Sequence, residues 1–279
     1  NTDESGEAAA TFFASHGLSD EGALAKVKAR GSYYASLVPE VPAQYRRLKD
    51  GQTLDIGGHS WRCIAGYGHA PEHISFLCDE LGLLIAGDML LPRISTNVSV
   101  FEMEPEGNPL PLFLASLERL AAELPAETLV LPSHGRPFRG AHRRIAQLER
   151  HHDERLADLL GACAAAPITA AEVLPVLFDR VLDLHQTTFA MGEAIAHLHA
   201  LWLSGRLLRQ RRGAATLSAP ELPGRSQSAL GMVARPPSGG WLTRANALML
   251  AFGLIALVLQ TSQAGIGLIR AGLAAAWAS

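Results

Sequence analysis

Gly68-His69-Ala70-Pro71-Glu72-His73-Ile74-Ser75 decides the fold, together with two shorter stretches downstream, Ala86-Gly87-Asp88 and Leu131-Pro132-Ser133-His134-Gly135. Each follows an apolar run. Trp61-Arg62-Cys63-Ile64-Ala65-Gly66 leads to His69, Leu81-Gly82-Leu83-Leu84-Ile85-Ala86 to Asp88, and Thr128-Leu129-Val130-Leu131-Pro132 to His134. Short apolar runs bounded by Gly and Pro read as buried strands. A side chain at the end of a buried strand is held by the sheet behind it, and a His/Asp/His donor set suits zinc. Singly, none of the three is specific. A lone His after a strand is most often a satisfied polar residue, and Gly-Asp is a common turn.

Outward from these runs, Glu7 to Tyr45 is helical in character and Gly51 to Gly87 is β-rich. Strands are expected at Thr53–Ile56, His59–Gly66, Ile74–Cys78 and Leu81–Ala86, with tight turns at Gly57-Gly58 and Asp79-Glu80. Asn108 to Leu124 has an amphipathic helical pattern, with Leu114, Leu117 and Leu120 on one face. From Gly140 the pattern turns helical. A long helix is expected over Ala141–Ala164, another from the capping-box spacing Thr169-x-x-Glu172, and a third over Ala190–Ser204 ending at Gly205. A short strand follows at Leu207–Gln210.

In this order and strand context, the three motifs resemble the second half of the metal site of the metallo-β-lactamase superfamily. Their local wording is similar to its hydroxyacylglutathione-hydrolase-like (glyoxalase II-like) branch. The resemblance implies an α/β (α+β) fold. A partial αββα sandwich spans residues 1–140, and a small helical winged-helix-like domain spans 141–212. It also implies that His69 belongs to a first zinc site and His134 to a second, with Asp88 as the bridging, catalytic carboxylate. Two such ions would activate a hydroxide against an ester or thioester, such as an acyl-glutathione-like small molecule. The alternative is a metal-dependent endoribonuclease, since related proteins with a similar C-terminal domain act on RNA. A third reading is an inactive remnant.

The family's first metal motif, His-x-His-x-Asp-His, does not occur in these 279 residues. The expectation is therefore an N-terminally truncated hydrolase whose chain alone binds at most one zinc weakly and is inactive. Two decoys have the wrong order or setting. His197-Leu198-His199 follows the other loops on a helical pattern, and His151-His152-Asp153 lies in a charged stretch that reads as a solvated helix face. The loop after Asp88 offers Arg93 to hold an anionic substrate and Asn97 to orient it. A surface loop with a structural Arg is the equal alternative. His73 reads as a supporting or core residue, because Pro71 argues against a helical ligand pair with His69.

The remaining features set limits. With 24 Lys+Arg against 27 Asp+Glu, the net charge is −3. No general field for nucleic acid is expected, and no DNA partner. Arg206, Arg209, Arg211 and Arg212 make a local basic cluster that reads as a solvated strand end before it reads as an RNA contact. Cys63, Cys78 and Cys163 lack metal spacing and read as small buried hydrophobes of a reducing, cytoplasmic protein. Residues 213–240 read as a linker and 241–279 as an apolar tail. Its run Ala247–Leu259 has thirteen apolar residues, fewer than the about twenty a membrane span needs. A weak membrane contact, a docking helix pair and a non-native extension stand open for it.

Overall fold

The computed structural model describes residues 2–37 and 44–220. Thirteen elements follow one another: α1 (Thr2–Ser15), α2 (Glu21–Leu37), β1 (Thr53–Ile56), β2 (His59–Gly66), β3 (His73–Cys78), β4 (Leu83–Gly87), α3 (Pro109–Glu123), β5 (Leu129–Pro132), α4 (Ala141–Ala165), α5 (Leu174–Leu177), α6 (Leu184–Leu203), β6 (Leu207–Arg212) and β7 (Ala215–Pro220). The fold is mixed α/β. Compactness divides the chain into two units that interleave along the sequence. A sheet unit holds 44–96 and 116–144, and a helical unit holds 2–37, 97–115 and 145–220.

The sheet unit is built on five strands in the order β1-β2-β3-β4-β5. The first three pairings are antiparallel and β4–β5 is parallel. Gly57-Gly58 closes β1 onto β2 in a two-residue turn, Ile56 facing His59, with both glycines at positive φ (+65° and +81°). That conformation favours residues without a Cβ. The turn between β3 and β4 takes four residues and ends at Gly82, so β4 begins at Leu83 rather than at Leu81. Trp61, Cys63, Phe76, Cys78 and Leu83 form one buried cluster. Ile64, Leu77, Leu84 and Val130 are sealed as well. Consecutive buried residues mean that the sheet is covered on both faces. Within this unit Arg119 reaches Asp50 at 3.0 Å and its helix neighbour Glu123 at 2.6 Å, while Asp50 accepts the Ala65 N–H at 2.8 Å.

In the helical unit the apolar faces of α1, α2, α4, α5 and α6 share one core that includes Phe12, Phe13, Val27, Leu159, Cys163, Leu177 and Ile195. Burial of this face is what places residues 2–37 with the C-terminal helices. The third helix starts earlier than expected. Asp183 caps α6 and completes a capping box with Gln186. The box at Thr169 and Glu172 is present, but it opens into turns and the four-residue α5. The linker expected from Gly213 is replaced over 215–220 by β7, which pairs with β6 across Gly213-Ala214. The rest of the linker and the apolar tail lie outside the described residues. Among the described residues, no helix is long and apolar enough to cross a membrane.

The decoy histidines separate. His197 and His199 lie on α6, buried, each Nδ1–H donating to a backbone carbonyl (Glu193 at 2.8 Å, Gly107 at 2.9 Å). His152 departs from the solvated face expected of its neighbours: it is fully buried. The reason is helical phase. Ile145, Leu148, His152, Leu159 and Cys163 recur at spacings of three, four and seven, so one stripe of α4 carries them all. The three cysteines are buried and unpaired, as expected.

Candidate metal centre

The strand directions bring the three motif loops to one edge of the sheet. Since β2 and β4 both run antiparallel to β3, and β5 runs parallel to β4, the C-terminal ends of β2, β4 and β5 share that edge. His69 follows β2 in the loop that returns to β3, with Gly68 at φ +97° making the bend. Asp88 is the first residue after β4, and Ser133-His134 follow β5 directly.

His69 Nε2 lies 3.5 Å from Asp88 Oδ2, and His134 Nε2 lies 3.5 Å from Asp88 Oδ1. Two ligand atoms at zinc bonds of about 2.1 Å and a tetrahedral angle stand about 3.4 Å apart. Each pair is therefore spaced as two ligands of one ion are, and each uses a different carboxylate oxygen. Among the described residues no group of three or more His, Cys, Asp or Glu side chains is placed to hold a metal ion together. The arrangement is two His–Asp pairs sharing one carboxylate. Burial alone would push the Asp88 carboxyl up. Hydrogen bonding from His69 and Ser133, with the charges available to His69 and His134, outweighs it and holds the carboxyl at about 2. The surroundings thus favour the ionised form of Asp88.

Several groups support Asp88, and of these only His73 was read as a supporting residue from the sequence. Ser133 Oγ donates to Asp88 Oδ1. Thr96 Oγ1 donates to the Asp88 carbonyl at 2.5 Å, and the Asp88 N–H donates to His73 Nε2 at 3.2 Å. Arg144 donates to the carbonyls of Leu91 at 2.7 Å and Ile94 at 2.9 Å, pinning the loop after Asp88. Gly135, at φ +90°, lets Pro92 approach: a Cβ there would meet Pro92 Cγ at 2.7 Å. Ser133 stood inside the quoted motif, whereas nothing in the local sequence marks Thr96 or Arg144. Burial holds the His73 imidazole down at about 4, with His69 adding to the effect and Asp88 opposing it. Of the two proposed substrate contacts, Arg93 is exposed on the sheet unit. Asn97 belongs to the helical unit, where its Oδ1 accepts from Ser99 at 2.8 Å.

Comparison with known proteins gives concordant results. Residues 7–134 match the model of the metallo-beta-lactamase superfamily, and residues 156–217 match that of the metallo-beta-lactamase-like C-terminal domain. A probable metallo-hydrolase of Bacillus subtilis, YqjP, is 29% identical over 160 residues, covering 56% of this chain and 49% of the relative. A hydroxyacylglutathione hydrolase of Acidiphilium cryptum is 33% identical over 159 residues, covering 57% and 60%. Among solved structures, a beta-lactamase domain protein from Burkholderia ambifaria is 52% identical with a TM-score of 0.73, covering 77% of this chain and 62% of that one. The chain thus spans about half to three-fifths of these relatives' lengths.

Proposed function

The chain belongs to the metallo-β-lactamase superfamily of hydrolases, and from that premise we propose that Asp88, His69 and His134 hold zinc for hydrolysis of a small-molecule thioester or ester. The observation that carries the reading is the pair of 3.5 Å approaches, one histidine to each oxygen of a single carboxylate. Nitrogen and carboxylate donors fit zinc, and a carboxylate offered from both oxygens fits a bridge between two ions. Bound there, such ions supply Lewis acidity toward a carbonyl and lower the pKa of water.

The chain's own residues supply the frame for that chemistry. Asp88 is ionised and fixed at backbone and side chain, so its oxygens need no reorganisation. His69 and His134 present Nε2 from two separate loops on rigid strands. Arg93, exposed on the loop after Asp88, is the proposed contact for a substrate carboxylate. In thioester hydrolysis, water adds to the acyl carbon, the C–S bond breaks, and the thiol leaves carrying a proton. The acid and thiol products therefore account for every atom of substrate and water. The glyoxalase II-like wording of the loops, and the hydroxyacylglutathione hydrolase among the relatives, support an acyl-glutathione-like substrate. RNA cleavage is the weaker alternative. Arg209 of the basic cluster is already stacked on Trp202 at 3.7 Å and paired with Glu106 at 2.8 Å.

The test is zinc titration, with and without His69→Ala and His134→Ala, of this chain and of a version extended by a segment carrying His-x-His-x-Asp-His, followed by thioester-cleavage and RNA-cleavage assays of the extended version at several salt concentrations. Zinc binding that needs both histidines, with salt-tolerant thioester cleavage, supports the proposal. Zinc binding indifferent to both variants would sink it. Cleavage of RNA that weakens steeply with salt would replace the substrate class.

A further inference from the structure

Asp88 is gripped at three points by three side chains: its N–H by His73, its carbonyl by Thr96 and its carboxylate by Ser133. The grip at the N–H is the unusual one. The β4–β5 ladder shifts register between Ile85 and Gly87, and its last bond runs from the Ser133 N–H to the Gly87 carbonyl. The Asp88 N–H has left the ladder and donates to His73 Nε2 instead. Accepting there requires the His73 ring to carry its proton on Nδ1. That Nδ1 is shut off from solvent without a partner among the described residues. A buried donor without an acceptor is destabilising. The ring also dictates residue 87: a Cβ on Gly87 would stand 2.5 Å from His73 Nε2, and the backbone there has φ +55°. Packing alone explains none of this. A leucine would fill the space and remove the stranded donor.

We propose that His73 is a positioning residue for Asp88. By accepting the Asp88 N–H at the point where the ladder ends, it sets the backbone from which the two carboxylate oxygens face His69 and His134. The role rests on the metal reading above, and it operates before any ion is present.

Three chains test it: wild type, His73→Leu and His73→Gln, whose Oε1 can accept the same N–H. Two quantities are read, the zinc affinity by competition with a chromophoric chelator and the hydrogen-exchange rate of the Asp88 amide in metal-free protein. Loss of a group that orients a metal ligand weakens binding about 10–100-fold. The His73→Leu chain should show that loss and faster exchange at Asp88, with a melting temperature equal to or above wild type. His73→Gln should restore both readouts to within about threefold of wild type. Unchanged affinity and unchanged exchange in His73→Leu overturn the proposal. If wild type binds no zinc, the metal reading fails, while the exchange comparison still decides whether His73 sets the Asp88 backbone.

Discussion

His69 and His134 of the sheet unit each present Nε2 to a carboxylate oxygen at 3.5 Å, with 23% and 68% of their side chains open to solvent. His152 and His197 of the helical unit are sealed from solvent and face each other, His152 Nδ1 standing 3.1 Å from His197 Nε2. The side chain is the same, and its surroundings reverse its use. Beside an ionised carboxylate at a loop edge, each imidazole sets its Nε2 at the spacing of two ligands of one ion. In a dry core, burial expels the proton, and His152 falls to about 3 and His197 to about 4. The ring then acts as a hydrogen-bonded hydrophobe. His16 and His199 repeat the buried pattern, both held low by burial.

The largest expected effect tests the buried half of this contrast. Both His152 and His197 have folded pKa values below the ordinary 6.5. The unfolded chain therefore binds more protons, and the stability they contribute is full above pH 6.5. It is lost as pH falls from 6.5 toward about 4 for His197 and about 3 for His152. Glu193, pushed up to about 7 by burial, works the other way and removes stability as pH rises from 4.5 to 7. Thermal melts should show a steep fall below pH 6. Converting both histidines to leucine should flatten that fall, and an equally steep profile in the double variant would refute the assignment.

Next comes the exposed half. Asp88→Ala should weaken zinc binding at least about 100-fold while leaving the melting temperature within a few degrees, since a half-buried ligand is not core. His197→Ala should do the reverse, costing about 2–4 kcal/mol by stranding the His152 N–H and opening a cavity, with zinc affinity unchanged. A zinc effect from His197→Ala would erase the distinction. Gly87→Ala is smaller, about 1–3 kcal/mol, from positive φ and the clash with His73; denaturant unfolding measures it. Smallest is Arg93→Ala, expected within about 0.5 kcal/mol in stability. It should raise KM for an anionic thioester and leave KM for a neutral ester alone. Equal KM values for both would remove Arg93 from the substrate site.

The sheet and its loops were legible because their signals are local. Apolar runs cut by Gly and Pro mark the strands, and short turns fix their directions, which leaves the three loops little choice but one edge. The groups that steady Asp88 were not legible, because Thr96 and Arg144 act through contacts that no local pattern encodes. His152 is a different kind of miss. The charged neighbours Glu149, Arg150 and Asp153 masked a stripe that Ile145, Leu148 and Leu159 already outlined. The strand β7 was missed for a plainer reason: Gly213-Ala214 and Pro220 look like linker residues until the β6–β7 pairing turns them into a hairpin.

The parallel pairing of β4 with β5 also has a consequence in time. Antiparallel neighbours close through turns of a few residues, so the loop with His69 and the end of β4 can come together as soon as they are made. Ser133 and Asp88 are 45 residues apart. At translation rates of about 5–20 residues per second, His134 leaves the ribosome about 2–9 s after Asp88. Non-local pairing then adds the delay of closing a long loop. In every newly made molecule the carboxylate waits for its second histidine, and any ion that needs both can be captured only once the last strand has docked.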